Sequence, residues 1–63
     1  MLSNEERERF ADYCERNAKD YDALAEQAEK LPSMIPAAKH LKAKAVSYAL
    51  VANDLRTAEV LGL

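Results

Sequence analysis

Cys14 is the only cysteine in the chain, so no disulfide can form within it. His40 is the only histidine, and one Cys with one His does not make a structural zinc site. Tryptophan is absent, and the only aromatic residues are Phe10, Tyr13, Tyr21 and Tyr48. Gly62 is the single glycine, and Pro32 and Pro36 are the only prolines. So few chain breakers leave room for few loops. No stretch approaches the roughly 18 consecutive apolar residues that a membrane-spanning helix needs, and no membrane association is expected. The opening residues Met1-Leu2-Ser3-Asn4-Glu5-Glu6 are acidic and carry no apolar run, so they do not read as a signal peptide. Charge of one sign is also scarce. Eleven acidic residues face nine basic ones for a net charge of −2, which argues against nucleic acid as the main partner.

What remains is rich in alanine, glutamate, lysine and leucine, all strong helix formers. Apolar residues make up 49% and charged residues 32% of 63 positions. A chain this short forms one domain at most and buries a small fraction of its surface. Small folds of this kind are held by disulfides, by a metal or by a partner subunit. The first two are excluded by composition, which leaves self-association or docking on another protein.

Ser3 and Glu6 have the spacing of a capping box, with Glu5, Glu6 and Glu8 placed where the helix dipole favours negative charge. The first helix is predicted from about residue 4 to 31. Pro32 then biases Leu31 away from helical backbone. The loop is residues 32–35, with Ser33 as the expected cap of a second helix from about 36 to 61. Pro36 falls in its first turn, where a missing N–H costs nothing, and Gly62 suits the position just past its end. Each helix would be about 40 Å long, and so short a loop forces the two to lie antiparallel and adjacent. The expected fold is therefore all-α, an antiparallel two-helix hairpin over residues 1–63.

Helix 1 carries a 4-3 repeat of Phe10, Cys14, Asn17, Tyr21, Leu24, Ala28 and Leu31. Beside it runs a stripe of small residues, Ala11, Ala18 and Ala25, at seven-residue spacing, where another helix can approach closely. Charged residues occupy the remaining face, with Asp12–Arg16 and Glu15–Lys19 spaced to pair along the helix. Helix 2 has its own seam of Leu41, Ala45, Tyr48, Ala52 and Leu55, but also Ala43, Val46, Ala49, Leu50, Val51, Val60 and Leu61 away from it. A helix apolar on more than one side is buried on more than one side. One face meets helix 1, and the other calls for a second chain. The simplest arrangement is a homodimer forming a four-helix bundle by two-fold symmetry, and collapse as a monomer is the alternative. The core and oligomer interface are expected to draw on Phe10, Cys14, Asn17, Tyr21, Leu24, Leu41, Ala45, Tyr48, Leu50, Val51, Ala52 and Leu55.

Lys39, His40, Lys42 and Lys44 cluster near the start of helix 2. They could hold an anion at a helix N-terminus, or pair with Asp20, Asp22, Glu26 and Glu29 at the end of helix 1, and ion pairing is the simpler reading. Asn17 on an apolar seam reads as a register device. Tyr21 and Tyr48 have core spacing, whereas Tyr13 borders the seam and is a candidate for binding a partner, with Met34 and Ile35 at the hairpin tip and Leu61 and Leu63 in the tail. Cys14 has no base nearby, since a hairpin puts His40 towards the other end. The carboxylates lie along a helix face, and the spacing of Glu and His used by di-iron bundles is absent. No catalytic, cofactor or metal-ligating residues are assigned.

The stretch Glu6-Arg7-Glu8-Arg9-Phe10-Ala11-Asp12-Tyr13-Cys14-Glu15, with Leu24-Ala25-Glu26-Gln27, Lys30-Leu31 and Val51-Ala52-Asn53-Asp54-Leu55-Arg56-Thr57-Ala58-Glu59, resembles short helical-hairpin accessory proteins of tailed phages and prophages. The resemblance covers most of the chain and brings no catalytic residues with it. It implies a non-enzymatic protein in the bacterial cytoplasm that binds a host protein, for example a component of host takeover or of an anti-defence response. Two other roles remain open. One is an oligomeric sponge for a nucleotide signal, in which Lys39, His40, Lys42 and Lys44 would surround the ligand, although the sequence pattern of known helical sponges is absent. The other is a structural or assembly component.

Overall fold

The computed structural model describes residues 2–61, with side chains described up to Ala58. It is an antiparallel hairpin of two long helices, α1 (Asn4–Glu29) and α2 (Ile35–Leu61), joined by a 3₁₀ turn at Pro32–Met34. Gly62 and Leu63 lie outside the described residues, as do the side chains of Val60 and Leu61, so the expected helix end at Gly62 and the tail contacts of Leu61 and Leu63 lie there too.

The start of α1 follows from its first four residues. Ser3 Oγ accepts a hydrogen bond from the Glu6 backbone N–H at 3.1 Å, and the Ser3 N–H donates to Glu6 Oε1 at 3.3 Å. Both halves of the capping box are formed. Hydrogen bonding from Ser3 to the Glu6 carboxylate, first from its backbone N–H and then from its side chain, holds that carboxyl below its ordinary value near 4.5. At the other end α1 stops two residues before the predicted boundary. Lys30 caps it, and Leu31 turns to extended backbone at φ −112°, ψ 116°, because the ring of Pro32 crowds the helical conformation of the residue before it. The Leu31 and Lys30 N–H groups still donate back into the last turn, to Ala28 O at 3.0 Å and Gln27 O at 3.2 Å.

The loop is tighter than the sequence reading. Ser33 is not a cap but lies inside the 3₁₀ turn, whose N–H at Met34 donates to Leu31 O at 2.9 Å, and Pro32 takes its first position. The turn runs straight into α2, so no separate cap is needed. Pro36 stands in the first turn of α2, where its lack of an N–H is harmless.

The helices meet along small residues. Among the described residues the buried apolar side chains are Ala11, Cys14, Ala18, Ala25 and Ala28 of α1 and Ala38, Ala45 and Ala52 of α2. Cys14 is the largest of the fully buried side chains. On each helix three of these alanines recur every seven residues. The two stripes let the backbones come close along the whole hairpin. Each buried methyl contributes only about 0.8 kcal/mol, so the contact is long but thin. The repeat facing α2 is thus Arg7, Ala11, Cys14, Ala18, Tyr21, Ala25 and Ala28. It is rotated from the predicted seam by one position, which leaves Phe10 50%, Leu24 50% and Leu31 57% exposed. The seam predicted for α2 does face α1: Ala45 and Ala52 are buried, Leu41, Tyr48 and Leu55 are half-buried, and Ala38 extends the stripe by one heptad. Leu50, in contrast, is 58% exposed, because its position is opposite the alanine stripe.

Candidate interaction surface

The alanine seam has two flanks, and helical geometry sorts the side chains between them. On one flank α1 presents Glu8, Glu15, Asp22 and Glu29 at seven-residue spacing, and α2 presents Lys42 and Arg56. On the other flank α1 presents Phe10, Asn17, Leu24 and Leu31, and α2 presents Ala37, Lys44, Val51 and Ala58.

The charged flank is closed within the chain. Arg56, one residue beyond the half-buried Leu55, reaches three carboxylates of α1. Its Nε donates to Glu8 Oε1 at 3.2 Å, its Nη2 to Asp12 Oδ1 at 2.8 Å, and its Nη1 to Glu15 Oε1. Partial burial of the guanidinium opposes its charge, but the hydrogen bonds to Glu8 and Glu15 and their negative charges outweigh this and hold its pKa above the ordinary value. Asp12 and Glu15, expected to pair with Arg16 and Lys19 along α1, therefore pair across the hairpin instead. The one pair formed along α1 is Arg9 with Glu5, at 3.1 Å. About four turns of helix nearer the loop than Arg56, Lys42 Nζ lies 3.2 Å from Asp22 Oδ1. That hydrogen bond, then the charge of Asp22, then the more distant Glu29 and Glu26, raise the Lys42 pKa. Sequence reasoning singled out Lys42 but missed Arg56. The available signal was its place two heptads after Lys42, opposite the acidic positions of α1.

The four basic residues near the start of α2 are not brought to one point. Lys42 is engaged with Asp22, Lys44 Nζ lies 5.5 Å from the centroid of the Tyr21 ring, and Lys39 and His40 are exposed. Among the described residues Lys42 alone of these four is in an ion pair. Among the described residues Arg7 is the one buried charged side chain, and it occupies a position of the α1 seam. Its place inside the seam was not legible as long as the seam was drawn through Phe10.

The apolar flank is built on aromatic contacts. Tyr21 and Tyr48 stack across the helices, with ring centroids 5.6 Å apart and planes 14° from parallel. Tyr48 and Leu55 also pack against the core of Ala11, Cys14 and Ala52. Phe10 and Tyr13 meet edge-on at 6.2 Å, and Tyr13 is 53% exposed. Asn17, half-buried in the middle of this flank, donates its Nδ2 to the Tyr13 carbonyl at 2.8 Å. One of its two N–H donors is thus met by its own helix, which lowers the cost of covering it with an apolar surface. Leu24, Leu31 and Val51 complete the exposed surface here. Met34 and Ile35 are exposed at the tip, and Val46 and Leu50 are exposed on the outer side of α2.

The described residues enclose no pocket, contain no cluster of three or more His, Cys, Asp or Glu side chains able to hold a metal ion, and form no helix long and apolar enough to cross a membrane. Cys14 is a free, buried thiol. No protein-family model matches the chain, and neither a curated protein nor a solved structure matches it. What the described residues offer is an open surface, charged on one flank of the seam and largely apolar on the other.

Proposed function

We propose that this chain is a non-enzymatic binding protein that acts by protein–protein contact and self-associates as a homodimeric four-helix bundle. The observation that carries this reading is an inversion of size. The hairpin buries alanine and one cysteine, while Phe10, Leu24, Leu31, Val46, Leu50 and Val51 stay outside. A stable monomer places its large apolar side chains inside, and large apolar patches left exposed mark contact with another molecule. The overall shape supports the same reading. The radius of gyration is 14.3 Å, against about 10.6 Å for a compact chain of this length. A single layer of two helices has nothing on its second face.

Beyond its own second copy, the proposed partner is a bacterial host protein, whose activity the bound hairpin would block. The likeness of Glu6–Glu15 and Val51–Glu59 to tailed-phage accessory proteins directs the reading to the host. Native mass spectrometry and sedimentation of the reduced protein test the assembly. A dimer is expected, and a monomer at micromolar concentration overturns it. For the host contact, a defined stoichiometric partner should lose binding when Met34 and Ile35 at the tip, or Val46 and Leu50, are changed to Ser. A partner indifferent to both pairs would overturn these surfaces as its site.

A further inference from the structure

Two apolar surfaces flank α2, and they are not equivalent. One is the flank bearing Phe10, Leu24, Leu31, Leu41, Val51 and Leu55, which draws on both helices. The other is the outer strip of Val46 and Leu50, which belongs to α2 alone. We infer that a second copy of this chain seats on the two-helix flank, with the two hairpin tips at the same end of the bundle. This rests on the proposed self-association and specifies its face and its direction.

Area points to a second copy. The chain exposes 4728 Å² at a mass of 7.0 kDa. A monomeric protein of that mass exposes about 4,000 Å². The excess of about 700 Å² is close to the roughly 800 Å² that each partner contributes to an interface of standard size. A two-fold axis brings the same face of both hairpins together, so that face must complement itself. The charged flank fails this requirement. It carries Glu8, Asp12, Glu15, Asp22 and Glu29 against Arg56 and Lys42, and doubling it would set excess negative charge against its like. The Phe10 flank meets the requirement, since large apolar side chains recur along its length and no acidic side chain stands among its positions. Its one amide, Asn17, is bonded to its own helix, and its one cation, Lys44, lies over the Tyr21 ring.

Charge also selects the direction. Residues 1–31 carry nine acidic side chains and five basic ones, and residues 32–63 carry two acidic and four basic. The first helix is therefore negative and the second positive. With tips at opposite ends, each α1 lies on the partner's α1 and acid faces acid. With tips at the same end, each α1 lies on the partner's α2. Every neighbouring pair of helices is then antiparallel and of opposite charge, and Asp20 on the rim of one hairpin comes level with Lys44 of the other. Like-charge neighbours are placed on the diagonal, where separation and salt weaken the repulsion.

Sedimentation and circular dichroism of three proteins test the face. Leu24→Glu with Val51→Glu should convert the dimer to monomer, with or without loss of helix. Val46→Glu with Leu50→Glu, an equal load of charge on the outer strip, should leave both the mass and the helix content unchanged. If the second variant dissociates and the first does not, the interface is the outer strip and the inference is overturned. If the unaltered protein is already a monomer, the self-association reading itself fails, which separates the two failures. Spin labels on Ser33→Cys in a Cys14→Ala background test the direction. A label-to-label distance of roughly 20 Å, two helix diameters, is expected. A distance approaching the 46 Å long axis of the hairpin would overturn it.

Discussion

The two flanks of the alanine seam are built from the same helices at the same spacing, yet one is finished and the other is not. On the charged flank, Arg56 and Lys42 reach the carboxylates of α1, so Glu8, Asp12, Glu15 and Asp22 find their partners within the chain. On the Phe10 flank, apolar side chains as large as phenylalanine and leucine are left half in water. Polar side chains are long and reach across a seam; apolar side chains gain only by being covered. A two-helix layer can therefore satisfy its charges alone, whereas covering its apolar flank takes more material than it contains. Under the proposed self-association, the charged side sets how the two helices pair and the apolar side sets what they pair with.

The comparison breaks most severely if the seam that separates the flanks is blocked. Ala18→Leu or Ala45→Leu puts a large side chain where two backbones approach, and overpacking of this kind costs about 1–3 kcal/mol. Both flanks should suffer together, seen as a lower Tm by circular dichroism and as loss of the cross-helix ion pairs by NMR. A merely small effect would mean that the helices are not closely packed there. Next in size, Phe10→Ala on the apolar flank should lower stability by an amount that grows with protein concentration, up to about 1.5 kcal/mol, the low end for burying a large apolar side chain. An effect near zero at every concentration would mark the flank as solvent-facing in the working protein.

The charged flank gives smaller effects that respond to salt rather than to concentration. Arg56→Gln leaves Glu8, Asp12 and Glu15 facing one another without their cation, and should lower the Tm by a few degrees in dilute buffer. The loss should shrink at high salt, because such pairs are screened, and Lys42→Ala, which removes one pair, should lower it less. Equal losses for the two would mean that Arg56 does not act as the hub of a network.

The smallest effect lies outside both flanks and sharpens the contrast by ignoring it. Ser3→Ala removes one half of the capping box and should cost about 0.5 kcal/mol of helix stability, the low end for loss of a cap. Because the Glu6 pKa is lowered in the folded chain, the stabilisation from its ionised form is present above about pH 4.5 and is lost as the pH falls through the lower folded value. Glu6→Gln should flatten that part of the acid unfolding curve. A curve that keeps its slope would assign the acid sensitivity to other carboxylates.

Much of this architecture was legible in the sequence because it is local. The capping box at Ser3 and Glu6, the stop at Pro32 and the tolerance of Pro36 in a first turn depend on a few neighbouring residues. The α2 seam was legible because Ala45 and Ala52 alternate with Leu41, Tyr48 and Leu55 at an unbroken 4-3 spacing. On α1 two overlapping repeats share Cys14, Tyr21 and Ala28. One continues through Phe10, Asn17, Leu24 and Leu31, and the other through Arg7, Ala11, Ala18 and Ala25. Size alone favours the first, because larger side chains gain more by burial.

The sequence by itself determined that there are two helices, where they begin and turn, and that their apolar surface exceeds what one contact can use. All of that follows from backbone preferences and periodicity along one strand of text. Only the tertiary structure decided which repeat of α1 faces α2, and with it which carboxylates Arg56 gathers and which leucines stay outside. The physical reason is that the fit of one helix depends on the shape of the other. The alanines of α2 at positions 38, 45 and 52 reward the closest approach. That approach is open to the matching alanines of α1 and closed to phenylalanine and leucine.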